Sequence, residues 1–445
     1  MVTSPEASTV ERELISIVGE ANVLCPAPDE YAIDDRRPLA VVFPGTIEEV
    51  AAVLHFAHAQ ELAVIPMGSG RRLSFGNLPE RVDLLLSTRR LDRILEYEPT
   101  DLTASVEAGC RLETFNREAL SHRQWLPFDP PDADRATLGG IAATDDFGPL
   151  RHGYGRPRDY VIGVEVVRAD GTRLRAGGRV VKNVTGYDLN KLFVGSFGTL
   201  GILVRVNFKL RPYPEAEATA VLLSSEWERL EAASQQIMRS ELLPVALLFS
   251  NAEATSTLLP DRSQEALLVR FLEAPPAVAY QVDRVRALAR SLSLDLVDFA
   301  NEASRSLWET VGRLHRLLPT DLLVRLSVLP AHTMAALRAG ERVLSPCLAS
   351  MYVLAQPGTG IVHIGGKLWA EGADALSRVV EGLVHLRTAW ESRRGHVIVE
   401  QAPPAIKQNV DVWGDAGSSL PLMRALKQTF DPKRILSPGR FVASL

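Results

Sequence analysis

Cysteine is nearly absent. Cys25, Cys110 and Cys347 are the only three in 445 residues; their odd number and wide separation exclude a disulfide framework and any Cys-x-x-Cys metal or cluster site within this chain. Long apolar runs are also missing, and no segment approaches the roughly 18 uninterrupted apolar residues that a spanning helix needs. Met1 to Ala21 carries Glu6, Glu11 and Glu13 where a secretory signal would place positive charge, so the expected location is cytoplasmic. Basic excess is lacking too: 49 Lys and Arg face 54 Asp and Glu, for a net charge of -5. With no basic tract and no aromatic-interleaved patch, a nucleic-acid partner is excluded from the expectations. No low-complexity tract or internal repeat survives residue counting.

What remains is an ordinary globular composition, 46% hydrophobic and 23% charged, on a chain long enough for two or three domains. Glycine at 31 and proline at 28 are near average usage, so clusters of glycine are local features. Arg37 to Phe43 reads as a strand ending at Pro44-Gly45. Thr46 then caps a helix with Val50, Val53, Leu54 and Ala57 at helical spacing and Glu48 and Glu49 in its first turn.

Three stretches gather the glycines. Ala63 to Pro66, a short buried strand, runs into a loop from Met67 to Asn77 containing Gly68-Ser69-Gly70-Arg71-Arg72. A Gly-x-Gly turn after a strand points several N–H groups into one concavity, a nest that binds phosphate oxygens without a lysine; Arg71 and Arg72 can add charge. The spacing fits neither the dinucleotide fingerprint nor a P-loop, and a turn built for its own geometry reads the same way. Further on, after a helix over Arg111 to Ser121, Thr137 can cap a short helix that Gly139, Gly140, Ala142 and Ala143 make slim. Such a face admits a flat ligand to the backbone or packs tightly on a sheet. The third stretch, Gly177 to Pro212, places the glycines of Leu192 to Gly201 just before the strand-like run Ile202 to Leu210, where the backbone can again approach a ligand closely. Between the second and third lie Asp146 to Tyr160, loop chemistry with aromatics and arginines, and a hairpin turning at Ala169 to Thr172.

Pro212 and Pro214 mark a boundary. Beyond Glu215, strands and helices alternate with few loop glycines, which predicts an α+β sheet layered with helices, of ferredoxin-like or similar type. The last piece, Leu420 to Phe441, is a helix ended by Asp431-Pro432 and a Pro438-Gly439 turn.

In this order, Pro66-Met67-Gly68-Ser69-Gly70, Ala136-Thr137-Leu138-Gly139-Gly140, Lys182-Asn183-Val184-Thr185-Gly186-Tyr187-Asp188-Leu189 and Gly195-Ser196-Phe197-Gly198-Thr199-Leu200-Gly201-Ile202 resemble the FAD-linked oxidases of the vanillyl-alcohol-oxidase type, most strongly the FAD-binding subunits of bacterial glycolate oxidases. Phe430 to Phe441 resembles the family's C-terminal signature, with Ser437 where Asn is usual. The resemblance implies an α+β fold: a PCMH-type FAD-binding domain of two α+β subdomains (residues 1–214), an α+β, ferredoxin-like cap (215–402), and a C-terminal segment (403–445) packing back on the FAD domain. It implies FAD contacts from Pro66, Met67, Gly68, Ser69, Gly70, Arg71, Arg72 and Ser74 in the pyrophosphate loop. Further contacts are implied from Pro130, Pro131, Ala136, Thr137, Leu138, Gly139, Gly140, Ala143 and Thr144 beside the ribityl chain and isoalloxazine. Gly148, Tyr154, Gly155 and Asp159, and Gly198, Thr199, Gly201 and Ile202 near the adenosine half, complete the set. Family members that bind FAD covalently use a His in the first loop or a later Cys; Arg71 and Arg72 stand in that neighbourhood and no Cys lies between Cys110 and Cys347, so the flavin is expected to be non-covalent.

For catalysis the resemblance is partial. Catalytic relatives carry a His-x-Gly-Asp-Gly-Asn-Leu-His segment and a later Glu-His; here the matching stretch is Gln356-Pro357-Gly358-Thr359-Gly360-Ile361-Val362-His363, and Glu400 is followed by Gln401. One histidine and the aspartate are gone, so no bound metal is expected. Base candidates are His363, His396, His152 and Tyr154, and carboxylate clamps Arg151, Arg156 or Arg158. The implied function is the FAD-binding subunit of a 2-hydroxy-acid dehydrogenase complex, taking electrons from substrate or from a sister flavoprotein and passing them to an iron–sulfur partner, with any membrane contact made through partners. The alternatives are a stand-alone FAD oxidoreductase acting on a hydroxy acid or alditol, and a scaffold that has lost FAD.

Overall fold

A computed structural model describes residues 7–178, 188–369 and 373–445; Lys182 to Tyr187 of the third glycine-rich stretch lie outside the described residues. The chain forms two compact units, one of Met1–Asp146, Arg156–Pro212 and Asp415–Leu445, the other of Phe147–Gly155 and Tyr213–Gly414. Residues 403–414 stay with the second unit because Ile406, Val410 and Val412 are buried in its core, and Phe147–Gly155 is a segment that sequence pattern gives no reason to detach.

In the first unit, α1 (Ala7–Val18) and α2 (Ile47–Gln60) cover a small sheet of β1 (Val23–Leu24), β2 (Ala40–Val42), β3 (Val64–Met67) and β4 (Leu84–Ser87), in the order β1-β2-β4-β3 with the last three parallel. Thr46 Oγ1 accepts from Glu49 N at 3.1 Å and caps α2, whose Val50, Val53 and Leu54 are fully enclosed. A second, antiparallel sheet comprises β5 (Ile94–Glu98), β6 (Thr103–Glu107), β8 (Val161–Val167), β9 (Arg173–Gly177) and β10 (Ile202–Lys209), ordered β5-β6-β10-β8-β9. A two-stranded ribbon pairs β7 (Gln124–Trp125) with β11 (Arg211–Pro212). Helices α3 (Leu112–Leu120), α4 (Leu138–Thr144) and α6 (Asn190–Phe193) connect these strands, while α5 (Arg151–Tyr154) belongs to the second unit.

The second unit is one eight-stranded antiparallel sheet with a repeat that residue counting misses. Its strands are β12 (Ala216–Ser224), β13 (Ala246–Ser250), β14 (Glu265–Glu273), β15 (Asp295–Ala300), β16 (Leu322–Ser327), β17 (Leu348–Gln356), β18 (Ile361–Leu368) and β19 (His396–Gln401). The order β15-β12-β14-β13-β17-β18-β16-β19 is two βαββαβ motifs joined at β13 and β17, each with the ferredoxin-like strand order. The copies share topology rather than residue types, because a buried sheet needs apolar volume rather than particular residues. On one face, α7 (Trp227–Met238), α9 (Pro275–Ser291), α11 (Thr333–Leu344) and α12 (Ala373–Glu391) bury Leu222, Phe249, Val269, Val324 and Ile364. On the other, α8 (Ala252–Leu258) and α10 (Asn301–Leu317) pack on Val221, Leu248 and Leu268. The part of that second face formed by β16, β18 and β19 carries Arg325, His363 and Glu400 instead. Short α13 (Pro404–Lys407) closes the unit, and α14 (Leu420–Phe430) is part of the first.

Candidate functional site

Within the first unit, the glycine-rich stretches converge on one cleft. Its lining includes Pro66, Met67, Gly68, Ser69, Gly70, Arg71 and Arg72 from the loop after β3, Thr137, Gly139, Gly140, Ala143 and Thr144 from α4 and its cap, and Gly198, Thr199, Gly201 and Ile202 leading into β10. The convergence depends on missing side chains. A Cβ on Gly68 would sit 2.3 Å from Thr137 Oγ1, and one on Gly198, whose φ is +70°, would sit 2.3 Å from Pro66 Cγ. Gly139 serves packing, since its Cβ would strike Ala108 at 2.4 Å, whereas at Gly140 only the capping oxygen of Thr137 is near. The slim helix is thus both things at once: α4 presses Gly139 on the strand end and exposes Gly140 and Ala143 to the cleft.

The first loop has the chemistry of an anion nest. The backbone N–H groups of Ser69, Gly70 and Arg71 donate to no acceptor among the described residues, and amides left unpaired on a cleft wall call for a ligand oxygen. Arg71 and Arg72 contribute less charge than the sequence suggests. Arg72 grips Asp146 through Nε (3.0 Å) and Nη2 (2.7 Å), Arg71 Nη2 lies 2.5 Å from the same carboxylate, and Arg71 Nη1 donates to Pro131 O at 2.7 Å. Burial would raise the Asp146 carboxyl, but the two guanidiniums outweigh it and hold it well below the usual carboxylate range. The triad keeps one net positive charge beside the nest.

The C-terminal segment completes the wall. Ser437, Arg440 and Phe441 line the cleft. Val64 N donates to Ile435 O (2.7 Å) and Ser437 N to Val64 O (2.9 Å), extending β3 by a parallel bridge. Arg440 Nη2 donates to Leu73 O (2.5 Å) and Phe75 O (2.6 Å), fixing the far end of the first loop, and burial pushes its guanidinium down to about 10. Lys427 Nζ, at 2.8 Å from Asp431 Oδ2, also donates to Thr199 O (2.9 Å) and Leu436 O (2.7 Å), so α14 holds the loop before β10. Phe197 packs edge-on against Phe75 at 5.2 Å and on Phe441 at 5.7 Å, giving the cleft an aromatic end. Phe75, Thr88, Ala108, Phe197, Arg440 and Phe441 are lining residues that sequence reasoning missed; for Arg440 and Phe441 the C-terminal signature was the available signal.

Other residues expected from the sequence fall outside that lining. Ala136 and Leu138 are enclosed in the core, Pro131 offers its carbonyl to Arg71, and Pro130 and exposed Ser74 are not on the cleft wall. Asp159 accepts from Arg156 N at 2.9 Å, Arg156 is ion-paired with Asp145, and Arg158 is exposed. Gly148, Tyr154 and Gly155 belong to the second unit. There, half-buried His152 packs against Gly358, and burial lowers its affinity for a proton; His396 stands exposed at the start of edge strand β19. His363 Nε2 lies 3.9 Å from Glu400 Oε1, which Arg325 Nη1 approaches to 3.0 Å, and Arg151 stacks 4.3 Å from the Phe147 ring.

Comparison with known proteins gives this cleft a name. Residues 38–177 match the FAD binding domain family, and residues 415–441 match the C-terminal domain of FAD linked oxidases. The chain is 28% identical to glycolate oxidase subunit GlcD of Bacillus subtilis, over 98% of this chain and 97% of that protein. It is likewise 28% identical to D-lactate dehydrogenase of Archaeoglobus fulgidus, over 94% and 97% of the two chains. Among solved structures, p-cresol methylhydroxylase with substrate bound shares the fold at a TM-score of 0.77 and 18% identity, over 99% of this chain and 97% of that one. The unpaired amides, the glycine cradle and the aromatic end fit the phosphates, chain and rings of a flavin dinucleotide. With an FAD binding domain over residues 38–177 and the C-terminal domain of FAD linked oxidases over 415–441, the chain is an FAD-dependent oxidoreductase of PCMH-type fold.

Proposed function

We propose that this chain dehydrogenates a small 2-hydroxy acid as the FAD-binding subunit of a glycolate-oxidase-like complex in the cytoplasm, with an iron–sulfur protein receiving the electrons. The observation that carries the reading is the set of three successive unpaired amides, Ser69 to Arg71, on the wall of the glycine cleft, in a chain that aligns end to end with a glycolate oxidase subunit. Those amides hold the pyrophosphate; Gly140 and Ala143 leave room for the ribityl chain and isoalloxazine; the backbone from Thr199 to Ile202 meets the adenosine half. Bound there, FAD supplies the two-electron acceptor for hydride from the substrate's α-carbon. The chain's own part is to position, to exclude water and to move a proton. His363, 3.9 Å from Glu400, is one candidate to accept the hydroxyl proton. Three scattered cysteines are too few to hold an iron–sulfur cluster in this chain, which supports placing that cluster on a partner.

The test is to purify the chain, measure its flavin, and add glycolate or D-lactate anaerobically. A yellow protein that bleaches supports dehydrogenation by this chain itself. A yellow protein that bleaches only after a co-purifying flavoprotein is restored places substrate oxidation on that subunit, and a colourless protein that takes up no added FAD defeats the reading.

A further inference from the structure

In the first unit, α14 buries a charge. Lys427 is the one buried residue of that helix, its side chain 4% exposed beside an Asp431 carboxylate at 0%. The ammonium has three protons, and each goes to a different piece of the unit. Asp431 Oδ2 lies at 2.8 Å, Thr199 O, in the loop before β10, at 2.9 Å, and Leu436 O, in the stretch bridged to β3, at 2.7 Å. Asp431 is as fully engaged, with Oδ1 accepting from Ile435 N at 3.0 Å and Oδ2 from Leu436 N at 2.8 Å. An apolar pair of similar volume often serves stability as well as a buried ion pair does. Such a pair would nonetheless release both carbonyls to turn toward other donors, and those carbonyls belong to the cleft: Thr199 lines it, and Leu436 precedes Ser437, which also does. A trans peptide sets its C=O and N–H on opposite sides, so fixing the Thr199 carbonyl also fixes the Leu200 N–H. The N–H groups of Gly198, Leu200 and Gly201 donate to no acceptor among the described residues, the same signature as the nest after β3.

We propose that Lys427 is a positioning residue for the flavin: by holding the backbone of residues 198–202 it sets the affinity for the adenosine half of FAD, without lining the cleft itself. Asp431 is its support, keeping the ammonium charged and in place. The inference rests on the placement of the adenosine half at residues 199–202 given above. It adds the side chain that prepares that wall before the cofactor arrives.

Full-length apoprotein is titrated with FAD, and ADP and FMN are measured as competitors. ADP keeps the adenosine half; FMN keeps the isoalloxazine, the ribityl chain and one phosphate. Because Lys427→Met alone strands Asp431, the variant measured is the neutral pair Lys427→Met with Asp431→Asn, and folding is followed by melting temperature. The pair is expected to bind FAD and ADP roughly tenfold or more weaker than wild type, with FMN affinity unchanged. Lys427→Gln with Asp431→Asn restores a donor for the carbonyls and should recover part of the loss. A general loosening of the unit would weaken FMN with the others. FAD and ADP held as tightly by the methionine pair as by wild type, or FMN weakened by the same factor as FAD, overturns the role of Lys427 and leaves the flavin and dehydrogenase readings standing. Wild type that binds FAD while ADP fails to compete overturns the adenosine placement and the inference with it. Wild type that takes up no FAD overturns the flavin reading as well.

Discussion

Gly68 and Thr137 meet so closely that a Cβ on the glycine would lie 2.3 Å from the threonine hydroxyl, which itself caps α4 by accepting from Gly140 N at 3.2 Å. The loop that presents the unpaired amides therefore rests on the cap of the helix that borders the same cleft. Gly68→Ala must push the two apart, and the expected outcome is loss of bound flavin, at least about tenfold in FAD affinity for each 1.4 kcal/mol of misfit. Adding Thr137→Ala removes the clash at the cost of a cap worth about 1 kcal/mol and should restore part of the binding. Flavin absorbance per chain and FAD titration of the apoprotein check both; full flavin retention in Gly68→Ala would refute the coupling.

Asp146 is the anion that lets two arginines stand together in the first loop. Asp146→Asn leaves Arg71 and Arg72 facing each other while buried, and should destabilise the first unit by about 3–5 kcal/mol. Because the carboxyl is held below its ordinary value, the stability it contributes is complete above about pH 4 and is lost as the pH falls further. Melting temperature against pH is the measurement: wild type should decline steeply below about pH 4, and Asp146→Asn should start lower and decline less.

Glu341 on α11 runs the other way. Burial first, and the nearby Glu265 second, raise its carboxyl to about 7, with Arg338 opposing. A carboxyl raised in the folded state costs stability as pH climbs from its ordinary value through the raised one. Glu341→Gln is expected to stabilise the second unit by roughly 1–2 kcal/mol at pH 8, allowing for solvent screening, and to change little at pH 4. Equal melting shifts at both pH values would rule the argument out.

The flavin should leave without bond cleavage. Arg71 and Arg72 are committed to Asp146. Cys110 is enclosed, and burial, with Asp92 and Glu107 adding, raises its thiol to about 12, so it is a poor nucleophile. Acid precipitation of the holoprotein should release all of the flavin to the supernatant; colour retained in the pellet and on a denaturing gel would contradict this.

Much of the cleft is legible in the chain because its chemistry is local. The turn of Gly68 to Gly70, the cap at Thr137 and the glycines before Ile202 are written in consecutive residues, and each occurs where the spacing places it. The doubled βαββαβ motif is illegible for the opposite reason: its two copies share connectivity and burial, and neither leaves a countable residue pattern.

Sequence by itself determined that main-chain amides would be bared at fixed points, that α2 would bury one face, and that too few cysteines exist for a cluster or disulfide framework. Tertiary structure decided that Gly139 packs on Ala108 while Gly140 stays open, that Asp146, 74 residues from Arg72, would offset part of the charge of an expected cationic loop, and that Arg440 would return across 365 residues to hold Phe75 O. Backbone freedom and helical period act between neighbours in the chain. Ion pairing and the closing of a cleft act between neighbours in space, and only the folded chain says which residues those are.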